Sequence, residues 1–497
     1  MYRSDNVKRV DVLAGQSQYS SRPAVLLTLG RLPVALELAR AMRGAGWRVL
    51  VAEPWAWHLC RLSNTVDKSF KVTAPSVDKK AYLNELLRII EQEKVSLVLP
   101  VSEEILYVSE LKGQLPATVS IVCGAQKQLL MLHDKYQFMK LAKAHQLPVP
   151  KTVLAGGILA VEVLAGEVSE GDRYACMEMM KKPFVIKPRF SCSGAGVFFG
   201  TPAGEEAVTG SGGVDSVDQG LMTDGYIVQE RLPGAACCSF SIVSNGVVQS
   251  SVCYRSLLES GSVSVCFEKM CVPDDIAFFI ESIVSAVDHS GMIAFDFISD
   301  DDGIWRAIEC NPRATSGLHF LDHEDVLSEL IGAASGVKSS VAESPDAEAT
   351  DAESFDTESP DAESPYEESS DAESAYAAAS DLASSESGIC SDDEPQRRQE
   401  FWSSLMQVEG ALFKGRFDRA GWRNLVSTRD ITWSRADVKP FLLMSFVMLP
   451  HLLRAVRVGK PVSQLVMEDL SWRGDVHVGK HRQTLNQPAV NQDEMSE

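Results

Sequence analysis

Hydrophobic positions in the first hundred residues switch between two periods. Pro23–Gly30 contains a continuous apolar run, Leu32–Met42 repeats apolar residues at three- and four-residue spacing, and Trp47–Ala52 is continuous again. Lys80–Gln92 returns to helical spacing and Ser96–Val101 to a strand. Strands apolar throughout are buried on both faces, and their alternation with helices predicts an open parallel sheet. Farther on, His133-Asp134-Lys135 opens an amphipathic helix with Asp134 as its N-cap, ending before Leu147-Pro-Val-Pro150. Phe184–Pro188 reads as a short buried strand followed by a small-residue loop to Val197, and Tyr226 starts an apolar strand that runs into a polar hinge at Gly234. Two apolar runs, Met292–Ile298 and Ile304–Ile308, flank an Asp/Gly turn and predict a β-hairpin. Beyond Glu400, Phe401–Phe413 and Pro440–Val456 predict helices with wide apolar faces, and Val462–Met467 is a further apolar patch. The longest apolar stretch, Phe441–Leu449, is too short to span a bilayer and ends at Pro450, so a buried helix is expected and no membrane partner.

A chain of 497 residues accommodates two or three domains with sizeable cores. Its formal charge of −21 is concentrated: Val341–Glu394 holds eighteen Asp and Glu and no Lys or Arg. The remaining chain is nearly neutral and predicts no nucleic-acid surface. Inside that acidic stretch, residues 346–375 repeat a pentapeptide of the type Asp-Ala-Glu-Ser-Pro. A period of five fits neither helix nor strand, and so polar a segment cannot offset its ordering entropy, which predicts a disordered linker. An acidic tether for a partner and a serine phosphorylation tract are the functional alternatives. The eleven cysteines include no Cys-x-x-Cys pair, and Met1–Ser21 is polar rather than signal-like, which predicts reduced thiols in a cytoplasmic protein. These shifts divide the chain into a flexible N-terminus (1–22), an N-terminal α/β domain (23–128), a second domain (129–335), the acidic linker (336–399), a helical cap (400–478) and a flexible tail (479–497).

Candidate chemistry gathers on the hairpin. Asp296 lies on its first strand, Glu309 ends the second, and Asn311 follows two residues later. Strand side chains alternate faces, so Glu309 and Asn311 point the same way, and pairing brings Asp296 alongside. Three hard oxygen ligands on one platform suit Mg²⁺ or Mn²⁺, with nucleotide phosphates completing the shell; an acidic hairpin with a solvated turn accounts only for Asp300, Asp301 and Asp302. Lys187, at a strand end, can reach phosphate oxygens as a point charge, and the loop after it, with Ser193, Gly194 and Gly196, lets backbone N–H groups approach the same oxygens. In contrast, the turn at Gly30 lacks the Gly-x-Gly-x-x-Gly pattern, so Glu53 is not expected to hold a dinucleotide ribose. Glu103 and Glu104 follow a strand of the parallel sheet, where such sheets place ligands, or else cap the next helix.

The spacing Asp296, Glu309, Asn311, Arg313, with the run Glu-Cys-Asn-Pro-Arg-Ala-Thr-Ser-Gly-Leu-His, resembles the ATP-grasp superfamily, and within it proteins related to the carbamoyl-phosphate synthase large chain. The resemblance covers residues 23–330 and, more weakly, 400–475. It implies an ATP-grasp fold (α/β and α+β) with an N-terminal open parallel-sheet domain and a helical C-terminal cap. It also implies ATP and Mg²⁺ as cofactors. Lys135 and Lys187 would contact the nucleotide, the 191–197 loop would cover its phosphates, and Gln229 and Glu230 would flank the adenine amino group. The peptide groups of Arg231 and Leu232 would read the adenine edge. Arg313 would grip an acyl-phosphate or a substrate carboxylate, and Arg255 the phosphates or that carboxylate. An ordinary exposed lysine at 135 and an exposed sheet arginine at 255 are the alternatives. The sequence departs from the family after Gly234, where Ala235-Ala236-Cys237-Cys238 replaces the usual ribose-binding glutamate. The implied reaction joins a small carboxylate, such as an amino acid, to an amine through an acyl-phosphate, releasing ADP and phosphate. Carboxylation through bicarbonate, or a nucleotide-binding scaffold with a decayed site, are alternatives, and a homodimer stays open.

Overall fold

The computed structural model describes residues 22–155, 174, 178–191, 196–200, 225–260, 263–322, 326, 328–332, 396–400, 428–459 and 462–472. The pentapeptide repeat, the predicted helix at 401–413, Ser193 and Gly194 lie outside the described residues.

Five short strands, β1 (Ala24–Leu27), β2 (Arg48–Glu53), β3 (Lys68–Lys71), β4 (Val95–Leu99) and β5 (Ser120–Ile121), form a parallel sheet in the order β3-β2-β1-β4-β5. All of β1 is buried, as an apolar strand covered on both faces must be. Helix α1 (Pro33–Gly44) starts with Pro at a position that needs no N–H, and Asp78 caps α2 (Lys79–Gln92) by accepting from the Ala81 amide. The strand order reverses between β1 and β4, so the crevice beyond their carboxyl ends is where an open sheet of this kind receives a ligand. Glu103 and Glu104 emerge there. Glu104 turns back to accept from Thr28 Oγ1 (2.9 Å) and from the Val101 and Ser102 amides, so it staples the crevice floor.

Helices α3 (Gln126–His133) and α4 (Lys135–Ala144) lead into the second domain, and the Asp134 side chain accepts from the Tyr136 and Gln137 amides as the N-cap of α4. Strands β6 (Thr152–Leu154), β7 (Phe184–Pro188), β8 (Phe198–Gly200) and β9 (Tyr226–Glu230) make a four-stranded sheet in the order β6-β9-β7-β8. A larger sheet runs β14-β13-β10-β11-β12-β15-β16. It comprises β10 (Ala236–Ser244), β11 (Val247–Ser260), β12 (Val263–Met270), β13 (Gly291–Ser299), β14 (Trp305–Asn311), β15 (Arg397–Gln399) and β16 (Arg429–Asp430). Asn245 and Gly246 join β10 to β11 with φ of 48° and 72°, the left-handed pair that a two-residue hairpin turn requires. One face of this sheet packs on α5 (Asp274–Ala286) through Phe279, Phe295 and Phe297. The other shares a core with the N-terminal domain through Phe240, Tyr254 and Met292.

Two differences from the sequence reading, a strand and the exposure of a helix, concern the C-terminal third. Arg397–Gln399, placed in the acidic linker by composition, is a strand that pairs with β12, so chain beyond the linker completes the large sheet. The helix expected over Pro440–Val456 is α6 (Lys439–Val458), which runs through Pro450 and is followed by α7 (Val462–Met467). Pro450 is exposed, as is Phe446, whose carbonyl would have received the missing N–H, so solvent can take that bond. Nor is α6 simply buried: Pro440, Met444, Val447, Met448 and Ala455 pack inward while an apolar opposite side faces out. The inward side closes on the N-terminal domain, where His451 stacks on Trp55 with ring centroids 3.5 Å apart. Beneath that stack the buried Glu53 carboxylate accepts from the Gly30 amide and from Arg31, and Arg31 also pairs with Asp469 at 2.7 Å. Glu53 is thus consumed internally, consistent with its exclusion as a ribose ligand.

Candidate functional site

The hairpin of β13 and β14 sets Asp296 directly opposite Glu309, and Asn311 opposite Ala294. A bulge absorbs Ile308 between the pairs Asp296–Glu309 and Phe297–Ala307. Its effect is to keep Ala307 in the core against α5 while turning Glu309 onto the opposite face with Asp296. Asn311 Nδ2 bridges the two carboxylates, 3.3 Å from Asp296 Oδ2 and 3.2 Å from Glu309 Oε1. The three expected metal ligands therefore form one cluster.

Two lysines converge on it. Lys135, the first residue of α4 and almost fully buried, puts Nζ 3.3 Å from Glu309 Oε2 and donates to the Ser191 carbonyl at 3.0 Å. The Asp134 cap also pairs with Arg189, which ties the start of α4 to the loop after β7. Lys187 is buried at the end of β7 and donates to Gln229 Oε1 at 2.8 Å. Burial pushes its ammonium down to about 8, partly offset by Glu309. Burial and the neighbouring Glu309 raise the Asp296 carboxyl to about 6. Burial also acts to raise Glu309, but Lys135 and Lys187 outweigh it and hold that carboxyl below its ordinary value.

Cys238 on β10 is the cross-strand neighbour of Asp296. Burial and Asp296 hold the thiol well above its usual range, so it stays protonated. The sequence showed this cysteine only as part of a departure from the family pattern; its contact depends on the register of β10 against β13.

Arg313 lies where β14 ends. Its Nη2 donates to Asn311 Oδ1 at 3.1 Å and its Nε to Glu103 Oε1 at 2.8 Å. Glu103 is 2% exposed, and His133 Nε2 stands 3.1 Å from its other oxygen, though not in hydrogen-bonding geometry. Burial alone would raise Glu103; His133 and Arg313 overcome it and hold the carboxyl far below the carboxylate range. The carboxyl end of β4 in the first domain thus grips an arginine at the edge of the cluster in the second. Sequence reasoning marked Glu103 as a strand-end acid, but its partner is 210 positions away and was not visible.

Other expected residues fall differently. Gln229, held by Lys187 and donating to Thr152 Oγ1 at 3.0 Å, and Glu230, accepting from the Lys151 amide at 3.4 Å, line the end of β9. The Arg231 amide donates to the Pro183 carbonyl at 3.2 Å and so does not present a free edge to a base; among the described residues the Leu232 amide makes no such bond. Gly196 has φ of 73°, and a Cβ there would come within 2.9 Å of Pro188 Cγ, so the chain requires glycine at this point. Arg255 is a correction. It shares the sheet face of Cys253 and Glu268, opposite to Tyr254 and Asp296, and pairs with Glu268, which also holds Arg397. It does not join the cluster.

Among the described residues no three or more His, Cys, Asp or Glu side chains are grouped to hold a metal ion. Asp296, Glu309 and the Asn311 amide are an all-oxygen set too small to complete a shell alone. That donor set fits Mg²⁺ or Mn²⁺ shared with phosphate oxygens, with Lys135 and Lys187 beside it to meet the same polyanion.

Residues 132–317 match the family described as "ATP-grasp domain". Three solved structures resemble the chain as follows. The N5-carboxyaminoimidazole synthetase from Staphylococcus aureus is 14% identical, with 64% of this chain and 78% of that one covered and a TM-score of 0.46. Biotin carboxylase from Campylobacter jejuni is 13% identical, covers 65% and 72%, and scores 0.47. The L-amino acid ligase from Bacillus licheniformis is 13% identical, covers 62% and 74%, and scores 0.45. No curated protein sequence matches the chain. The chain carries an ATP-grasp domain within a mixed α/β fold.

Proposed function

We propose that this chain is an ATP-dependent ligase that activates a small carboxylate as an acyl-phosphate and joins it to an amine, releasing ADP and phosphate. The observation that carries the reading is the convergence of two buried lysines on two cross-strand carboxylates inside the ATP-grasp domain. Lys135 and Lys187 would bind the phosphates, and Gln229, Glu230 and the Leu232 peptide would border the base. Asp296, Glu309 and Asn311 would hold Mg²⁺, which when bound neutralises charge on the transferring phosphoryl group. As a ligand, Asn311 would turn its Oδ1 away from Arg313. The Arg313 fork, released from that contact yet still anchored to Glu103, would orient the substrate carboxylate or the acyl-phosphate formed from it. The chain's own work is then positioning and charge stabilisation; the amine displaces phosphate without a strong protein base.

Mg-ATP turnover against pooled amino acids and small carboxylates, with hydroxylamine as trap, tests the reading. ADP with a hydroxamate supports it and identifies the acid by mass. ADP formed only with bicarbonate transfers the assignment to carboxylation, and absence of both ATP binding and product removes the enzymatic reading.

A further inference from the structure

The outward side of α6 carries a second apolar stripe. Leu442, Phe446, Leu449, Leu453 and Val456 recur at spacings of four and three and are 59, 73, 49, 62 and 77% exposed. Such spacing sets them in one line along the helix. The line ends in cations: Lys439 precedes Leu442 by three residues, Arg457 follows Leu453 by four, and exposed Arg435 stands just before the helix. Among the described residues Arg435, Lys439 and Arg457 have no ion-pair partner, while Arg454 lies 3.8 Å from Glu468. The acids between Thr428 and Gly459 are Asp430 and Asp437; both are buried, with Asp437 paired to Arg40.

Charge decides what can cover this face. An antiparallel two-fold pairing with a second copy would set Lys439 beside the other copy's Arg457, and a parallel one would set equal ends together. Either puts cation against cation with no acid on the face to pair, which is unfavourable. The complementary partner is negative at its surface and apolar just beneath. We propose that α6 lies flat in the surface of an anionic lipid bilayer. The stripe enters the boundary between headgroups and acyl chains, and Arg435, Lys439 and Arg457 rest at lipid phosphates. The helix does not cross the bilayer, because Met444, Val447 and Met448 on its other side belong to the core shared with the N-terminal domain.

The test is co-sedimentation of the full chain with vesicles of phosphatidylcholine alone or mixed with phosphatidylglycerol, at low and high salt. Binding to the mixed vesicles, weakened by salt, is expected. It should fall at least roughly tenfold in Phe446→Glu/Leu453→Glu and in Lys439→Glu/Arg457→Glu, with melting temperatures unchanged because all four side chains are exposed. No sedimentation with either vesicle overturns the proposal, as does undiminished binding by the stripe variant. A wild-type dimer that the stripe variant turns into a monomer, without vesicle binding, assigns the face to a second copy instead.

Discussion

Glu309→Gln keeps the shape of the cluster and removes the charge that Lys135 and Lys187 face. In the proposed reaction that change would weaken the hold on the metal and with it a charge-stabilising interaction. ADP formation should fall by about 10²-fold or more, and the melting temperature should fall too because Lys135 and Lys187 lose the carboxylate they face. Near-normal turnover would sink the metal assignment. The two arginines offer a sharper contrast. Arg313 touches Asn311 and Glu103, whereas Arg255 pairs with Glu268 on the far face and is 56% exposed. Arg313→Gln should cost about 10²-fold in turnover, and Arg255→Gln should leave it within roughly twofold. Steady-state ADP release measured on both variants separates the roles, and an equal loss in both would contradict the faces assigned to them.

At the scale of elements, what the sequence made legible was what one or two adjacent elements determine. The Asp134 cap, the β13–β14 hairpin and the shared face of Asp296, Glu309 and Asn311 each follow from residues within one such unit. What it hid depends on register between distant strands. Ile308 is a bulge, which parity along β14 alone would not reveal, and Arg255 is on the wrong face only because Tyr254 pairs with Cys238. Composition likewise drew the acidic linker to residue 399, because two arginines and a glutamine carry no strand signal by themselves; β15 exists because the edge of β12 is available to it. This places a structural requirement just past the repeat. Deleting residues 346–375 shortens a connection, and chain closure depends only weakly on length, so stability should shift by no more than about 1 kcal/mol with turnover retained. Ending the chain at residue 395 removes β15, β16 and α6, and should lower the melting temperature sharply. If the internal deletion abolishes activity, the repeat is the working part and the ligase reading loses its ground.

Across the whole molecule, ion pairs bind the C-terminal region to both domains. Arg31 joins Glu53 to Asp469, Arg40 holds Asp437, and His319 connects three segments at once. His319, fully buried, bonds Glu37 of α1 through Nδ1, and its Nε2 lies 3.7 Å from Glu400, directly after β15. Burial acts to lower its imidazolium, but Glu37 and Glu400 overcome that and raise it to about 9. A histidine raised on folding binds its proton more tightly in the native state, so its contribution is fully present below the unfolded value of about 6.5. That contribution declines between there and about pH 9, and is gone above it. Its size is on the order of 3 kcal/mol, a large share of a typical domain's stability. Urea unfolding at intervals from pH 6.5 to 8, below the range in which Lys187 loses its proton, should therefore show wild-type stability falling with rising pH. His319→Gln, which cannot take the proton, should be less stable at pH 6.5 and should lose most of that slope. The same slope in both proteins would mean that the junction of α1, β15 and the ATP-grasp domain is not held by this charge.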